Sequence, residues 1–168
     1  MTQLYAQPYD ISATGFYFES YKDYQAKVAR AVNHYGDPVE EFEISFVDGE
    51  DINSDLAKVW CLNQANLKAF YEAVDAWSNR QKIHYIIAVG ECGYEHNAIV
   101  DDPEQIDITI YRLRSLRELA EELMEEGIFG DVPEHLSSYI DYERIARDLE
   151  YEYSSITIAG EFLLYRCQ

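Results

Sequence analysis

Residues 115–127 read Ser-Leu-Arg-Glu-Leu-Ala-Glu-Glu-Leu-Met-Glu-Glu-Gly and carry the clearest helical signal in the chain. Apolar residues recur there every three or four positions, which predicts one buried helix face. The residues of that face are Leu116, Leu119, Ala120, Leu123 and Met124. Gly127 follows them where a C-terminal cap belongs, so the helix is predicted to span Ser115–Glu126.

Strand patterns occur on both sides of this helix. From Glu41 to Val47, apolar and polar residues alternate, which predicts a half-buried strand with an acidic outer face. The C-terminus predicts a hairpin that turns at Gly160. The other predicted strands cover residues 4–9, 15–19 and 106–110, and the hairpin strands are Ser154–Ala159 and Glu161–Arg166.

Helical periodicity dominates the rest of the chain. Ser20 is suited to cap a helix that runs to about Asn33, and Asp131 with Glu134 resembles the capping box of a short helix. Residues 83–89 fit a helix or a strand equally well. The remaining predicted helices cover residues 56–60, 67–77 and 142–149. Together these elements predict an α+β fold with a helix-rich middle between two mixed ends.

The charge of the chain is strongly unbalanced. Its 168 residues include 32 Asp and Glu against 13 Lys and Arg, which gives a formal net charge of −19. Most of these acids lie in three tracts without a single Lys or Arg, residues 31–57, 83–111 and 118–143. An ordinary soluble surface intersperses the two signs. The tracts therefore favour a cationic partner, and they exclude direct binding to nucleic acid, which is itself a polyanion.

Composition also limits the class of protein. Hydrophobic residues make up 48 % of the chain and aromatic residues 14 %, which is too much for a disordered acidic segment. The longest apolar stretches are far shorter than a membrane span. The opening Met1-Thr-Gln-Leu4 lacks the basic and apolar regions of a signal peptide, so a cytoplasmic location is predicted.

Catalytic and metal-binding patterns are not found. Asp48–Ser54 is predicted as a polar loop rich in oxygen ligands, but an EF-hand counted from Asp48 needs Gly and Glu where Asn53 and Val59 stand. The four histidines are scattered and no Gly-x-Ser-x-Gly motif occurs. We therefore predict no catalytic residue, no metal and no cofactor. Two alternatives stay open: a generic acidic adaptor whose charge aids solubility, and an enzyme or calcium-binding protein that uses carboxylate clusters.

The polar side of the Ser115 helix is almost entirely negative. Arg114 and Arg117 are spaced to pair with Glu118 and Glu121, one turn further along. Three more glutamates on that side, Glu122, Glu125 and Glu126, have no basic neighbour at this spacing. Like charges four residues apart each cost on the order of 0.2–0.5 kcal/mol. A helix face that lowers stability in this way favours a role in binding.

Longer motifs resemble one protein family. The run Gly130-Asp-Val-Pro-Glu-His-Leu-Ser-Ser-Tyr-Ile-Asp-Tyr-Glu-Arg-Ile-Ala-Arg-Asp-Leu149 is similar to the ArdA-type antirestriction proteins of mobile elements. So are the opening Tyr5-Ala-Gln-Pro-Tyr-Asp-Ile-Ser-Ala-Thr-Gly-Phe-Tyr-Phe18 and the ending Ala159-Gly-Glu-Phe162. The resemblance extends over essentially the whole chain and is loosest between residues 48 and 106.

The resemblance implies a protein that imitates B-form DNA. Such proteins are elongated homodimers with three small domains per chain, here residues 1–60, 61–107 and 108–168. They occupy the DNA-binding groove of type I restriction–modification enzymes and block cleavage, and often methylation, without doing chemistry themselves. Dimerisation through the C-terminal domain would use Leu136, Tyr139, Ile140 and Phe162. The partner is then the methyltransferase core of such an enzyme.

Under this hypothesis the acids of the three tracts stand in for DNA phosphates, because carboxylates offer Arg and Lys the same charge-assisted hydrogen bonds. The acids that we predict for this role are Glu41, Glu43, Asp48, Glu50, Asp51, Asp55, Asp101, Asp102, Glu118, Glu122, Glu125 and Glu126.

Overall fold

A computed structural model describes residues 1–96 and 102–168. The chain divides into two compact units, Met1–Glu104 and Gln105–Gln168. Each unit combines α-helices with a three-stranded antiparallel sheet, which confirms the predicted α+β class. The division into three domains stays a prediction.

The sheet of the first unit contains β1 (Gln3–Pro8), β2 (Phe16–Phe18) and β3 (Phe42–Asp48) in the order β2-β1-β3. Alternation puts one side of each strand into the core. Leu4 lies opposite Phe18 and Ala6 opposite Ile44, and these four side chains are buried. The strands predicted for 4–9, 15–19 and Glu41–Val47 are thus confirmed, with small differences at their ends.

The described residues of the first unit also form four α-helices: α1 (Tyr21–Val28), α2 (Asp51–Val59), α3 (Leu67–Ala76) and α4 (Asn79–Gly90). Residues 83–89, which fitted either element, are helical. Ser78 explains why the helix forms, because its side chain and that of Gln81 form a capping box that starts α4. A short 3-10 turn, Pro103–Gln105, follows.

The predicted helix from Ser20 to Asn33 is too long, since α1 ends at Val28. The cap at its start is confirmed: the Ser20 side chain accepts the N–H of Asp23 at 3.1 Å. At the other end, Asn33 Oδ1 accepts the N–H groups of Tyr35 and Asp37, both at 2.9 Å. A side chain that binds nearby backbone in this way competes with the helix, and the chain folds back on itself instead.

Helix α2 also differs from the prediction, because it starts at Asp51 and not after Ser54. The segment that was predicted as a polar loop is therefore mostly helical. An acid in the first helical turn is stabilised by the helix dipole, which favours the early start.

The second unit contains β4 (Ile108–Tyr111), α5 (Leu116–Glu125), a 3-10 helix (Glu134–Tyr139), α6 (Tyr142–Leu149), β5 (Ser154–Ile158) and β6 (Glu161–Cys167). The sheet order is β4-β6-β5. Helices α5 and α6 pack on this sheet around a small core formed by Leu119, Ala120, Leu123, Leu149, Tyr153 and Leu164. The predicted apolar face of α5 is confirmed at its three central positions.

Two turns of this unit follow the sequence signals. After α5, Ile128 N–H donates to the Leu123 carbonyl at 3.0 Å and Gly127 N–H to that of Met124 at 3.1 Å. With Gly127 at φ 75° this is a Schellman cap. The hairpin turns at Ala159 and Gly160, both with positive φ, as a two-residue turn matched to the twist of its strands requires.

One local prediction is wrong, and one strand is confirmed with a later start. The 3-10 helix begins after Pro133, with no side-chain cap, so Asp131 and Glu134 form no capping box. The strand predicted for 106–110 is confirmed as β4, but it starts only at Ile108, because Ile108 N–H bonds back to the Ile106 carbonyl in a tight turn. Among the described helices, none has the length and apolar character needed to cross a lipid bilayer.

Candidate acidic binding surface

Strand β3 projects part of the first acidic tract into solvent. Phe42 and Ile44 are buried, whereas Glu41 and Glu43 are exposed. β3 is an edge strand of its sheet, and Glu41 lies directly before its first residue. Two residues apart in extended chain, Glu41 and Glu43 face the same side. The predicted acidic outer face is confirmed.

The same tract continues from the end of β3 into α2. Asp48, Glu50 and Asp51 are exposed, and Asp55 is half-buried. Lys58 Nζ lies 2.9 Å from Asp55 Oδ1, so this last carboxylate is partly neutralised. Within residues 1–96 and 102–168, no three His, Cys, Asp or Glu side chains are placed to hold a metal ion together.

The second tract is only partly described. Asp101 lies outside the described residues. Asp102 is half-buried, and its Oδ1 accepts hydrogen bonds from Gln81 Nε2 at 3.2 Å and from Glu104 N–H at 3.1 Å. This carboxylate therefore ties its own turn to the start of α4, which leaves fewer of its lone pairs for a partner.

The third tract follows α5. Glu125 and Glu126 are exposed, and Glu118 and Glu122 are half-buried. Arg117 binds Glu121 at 3.1 Å, as its spacing predicts, and also Glu143 on α6 at 3.2 Å. These two carboxylates, Glu121 first, raise the pKa of the Arg117 guanidinium.

The other predicted pair on α5 forms differently. The backbone N–H of Arg114, and not a guanidinium group, donates to Glu118 Oε2 at 2.8 Å. Glu118 thereby stabilises the start of the helix.

Burial chiefly raises the pKa of the nearby Tyr111, and the charges of Glu126 and Glu122 raise it further.

Most of the predicted acids have no cationic partner among the residues that the structure describes. This group comprises Glu41, Glu43, Asp48, Asp51, Glu122, Glu125 and Glu126. Glu50 differs, because its charge acts on the ammonium group of Lys82 and raises the pKa that burial lowers. Unneutralised carboxylates attract basic groups over distances of about 8–10 Å at moderate salt. Each unit thus presents a set of free negative charges.

The four residues predicted for a dimer interface lie at the surface of the second unit. Leu136, Tyr139 and Phe162 are exposed, Tyr139 by 82 %, and Ile140 is half-buried. None of the four belongs to the core of that unit. Their role in an interface is not tested by a single chain and stays a prediction.

Sequence patterns missed three further apolar side chains beside them. Ile128, Phe129 and Val132 are exposed, in a segment where every residue from Glu125 to Tyr139 is exposed. The only local signal was the pair Gly127 and Gly130, which flanks Ile128-Phe129 and excludes a regular helix there. An exposed apolar run of this size is typical of an interaction surface.

Comparison with known proteins identifies the family. No curated protein matches the chain. A family model described as "Antirestriction protein (ArdA)" matches residues 10–163, nearly the whole chain. The three acidic tracts fall within the match, and so does the exposed apolar segment, residues 125–139. Antirestriction proteins act on restriction–modification enzymes, and the chain belongs to the ArdA family of antirestriction proteins.

Proposed function

We propose that this protein is a non-enzymatic, cytoplasmic mimic of B-form DNA that occupies the DNA-binding groove of type I restriction–modification enzymes. The partner is the methyltransferase core, and occupancy of its groove blocks restriction and methylation alike. The observation that carries the proposal is the set of solvent-facing acids without a cationic partner among the described residues.

Charge density on α5 supports the proposal. Five glutamates lie between Glu118 and Glu126, over about 12 Å of helix. Duplex DNA carries one negative charge per about 1.7 Å of its axis, or about seven charges over that length. The helix therefore approaches the charge density of DNA, although Arg117 offsets part of it.

The rigidity of the acidic elements also supports it. Glu43 is held on a paired strand, and the Glu41 carbonyl directly before it accepts a hydrogen bond from Tyr9 N–H. The α5 acids are held on a helix that is capped at both ends. Carboxylates in fixed positions lose less conformational entropy when Arg or Lys groups bind them. Fixed charges on regular elements thus suit a groove that is shaped for a regular duplex.

A homodimer would match the size of a long DNA-binding groove. Two copies carry twice the net charge of −19, which equals the phosphate charge of about 19 base pairs. In the proposed dimer, the exposed apolar segment of the second unit, which includes Leu136 and Tyr139, is covered by its counterpart together with Ile140 and Phe162.

Inhibition of DNA cleavage tests this function. A type I enzyme is incubated with unmodified DNA and increasing amounts of the protein, with cleavage and methyl transfer measured in parallel. We expect both reactions to stop, and excess specific DNA to restore them. Uninhibited cleavage by several type I enzymes would reduce the acidity to an aid to solubility, as in a generic adaptor.

A further inference from the structure

Two paired loops of the first unit, residues 9–13 and 31–38, expose large apolar side chains. Ile11 is fully exposed and Tyr35 is 80 % exposed. Tyr9 and Val32 are also exposed. Periodicity did not indicate the exposure of any of the four: Ile11 and Tyr35 lie outside the predicted helices and strands, and Tyr9 and Val32 lie at the ends of predicted elements that the structure makes shorter. Apolar groups at such positions weaken solubility and commonly mark an interaction site.

The loops are held together by a network of hydrogen bonds. Asp10 Oδ1 accepts the N–H and the hydroxyl of Ser12 at 2.8 and 2.7 Å, and Asp10 Oδ2 accepts Asn33 Nδ2 at 3.0 Å. The bonds from Ser12 and Asn33 lower the pKa of the Asp10 carboxyl. Ala13 also forms a β-bridge with Asn33.

Asn33 organises the second loop from within. Its side-chain oxygen accepts the N–H groups of Tyr35 and Asp37, and His34 N–H donates to the Ser12 carbonyl at 3.0 Å. The apolar side chains are therefore displayed by an ordered scaffold. A surface that is ordered before binding loses less entropy on association.

The paired loops adjoin the proposed acidic surface. Tyr9 N–H donates to the Glu41 carbonyl at 3.2 Å, directly before β3. The second loop also begins the tract of residues 31–57, which contains acids and no Lys or Arg. A basic partner bound to Glu41 would therefore also lie beside the loop that begins at Tyr9, to which the loop of Tyr35 is hydrogen-bonded.

We propose that the paired loops form an apolar contact with the methyltransferase core, beside the acidic contact, and that Ile11 and Tyr35 are its main residues. This inference rests on the proposed function and adds a component of affinity that DNA does not have. Binding through charges alone weakens steeply as salt rises, for the mimic and for DNA alike. Burial of apolar surface is not screened by salt. The loops thus let the protein compete with DNA at high salt concentration, where attraction between charges is weakest.

Affinity at two salt concentrations tests the inference. The double variant Ile11→Ser/Tyr35→Ser and the wild type are titrated against a methyltransferase core that holds labelled DNA, at about 50 mM and about 200 mM salt. We expect the double variant to bind about ten- to a hundredfold more weakly, by the same factor at both salt concentrations. Tyr151→Ser, at a tyrosine that is 91 % exposed in the second unit, is the matched control and should bind like the wild type.

Each outcome decides a different point. A double variant that stays within about twofold of the wild type at both salt concentrations would overturn the apolar contact and leave the proposed function intact. If the double variant loses affinity by different factors at the two salt concentrations, the apolar contact is overturned as well, because the loops would then act through charge. If the wild type itself displaces no DNA, the proposed function fails and this inference with it. Tyr35→Ser alone, read the same way, covers the case in which the double variant does not fold.

Discussion

The carboxylate of Glu118 accepts the backbone N–H of Arg114 at 2.8 Å. On the same turn, Ser115 Oγ accepts the N–H of Glu118 at 3.2 Å. The Ser115 bond satisfies an N–H group of the first turn, which has no intrahelical partner. The Glu118 bond fixes the chain just before the helix, because Arg114 precedes the N-cap residue Ser115. Glu118 therefore has two roles in our account, as a cap of α5 and as an acid of the proposed surface.

These two roles can be separated by substitution. Glu118→Ala should lower the free energy of unfolding by about 1 kcal/mol, because it removes the acceptor of the Arg114 N–H. Glu118→Gln retains an acceptor oxygen and should cost less than half as much. Both remove the same charge and should weaken binding to the methyltransferase core equally. Denaturant unfolding and DNA displacement measure the two effects, and equal destabilisation by Ala and Gln would contradict the capping role.

The acids at the end of α5 should lower stability and raise affinity. Replacing Glu122, Glu125 and Glu126 together by Gln relieves like-charge contacts and an unfavourable interaction with the helix dipole. We expect the free energy of unfolding to rise by about 0.5–1.5 kcal/mol. Affinity for the methyltransferase core should fall, with a shallower dependence on salt.

A second triple variant controls for net charge. Asp148→Asn, Glu150→Gln and Glu152→Gln remove as many charges from the end of α6 and the turn after it, outside the predicted set. This variant should retain most of the affinity. If both triple variants weaken binding equally, overall acidity and not a defined surface controls binding.

The exposed apolar segment should control the oligomeric state. Leu136→Asp together with Tyr139→Asp puts two charges where we predict a dimer contact, and burying them there would be costly. Sedimentation should change from dimer to monomer, with the circular dichroism spectrum unchanged because both side chains are exposed. Tyr151→Asp is the control. A wild-type protein that sediments as a monomer would contradict the predicted interface.

Buried tyrosines should make the first unit sensitive to alkali. Burial raises the pKa of Tyr71 above its ordinary value of 10.0, and nearby Asp23, Glu19 and Asp75 raise it further. Above about pH 10 the unfolded chain loses this proton and the folded chain does not, so stability falls as the pH rises.

Tyr71→Phe should reduce that alkaline loss of stability. At neutral pH the same variant should cost at most about 0.5–1.5 kcal/mol, because the tyrosine hydroxyl donates only long hydrogen bonds, 3.4 Å each, to the carbonyls of Thr2 and Phe18. Urea unfolding at pH 7 and pH 10.5 measures both effects. If the free energy of unfolding falls as much between the two pH values in the variant as in the wild type, the Tyr71 phenol does not contribute to the alkaline loss.

Local patterns predicted those elements whose residues interact with near neighbours. The apolar face of α5, its Gly127 cap and the turn at Gly160 all depend on contacts within a few residues, so the sequence alone revealed them. The alternation of β3 likewise placed Glu41 and Glu43 outward. These positions carry much of the proposed surface.

Features that depend on distant residues were not predicted. The end of α1 depends on Asn33, whose amide also reaches Asp10. Buried Lys82 was not anticipated either: its ammonium group lies 2.9 Å from Asn53 Oδ1, and burial lowers its pKa. Hydrophobic periodicity does not predict the burial of a single basic residue such as Lys82. The exposure of Ile11 and Phe129 was missed for the same reason, because composition does not show which apolar residues find partners.

Direct competition with DNA tests the central claim most sharply. The wild-type protein is titrated into a complex of a type I methyltransferase core with its labelled DNA site, at low and at moderate salt. We predict that it displaces the DNA stoichiometrically at low salt and that its own affinity falls as the salt concentration rises. Failure to displace DNA at low salt, from several such enzymes, would contradict DNA mimicry.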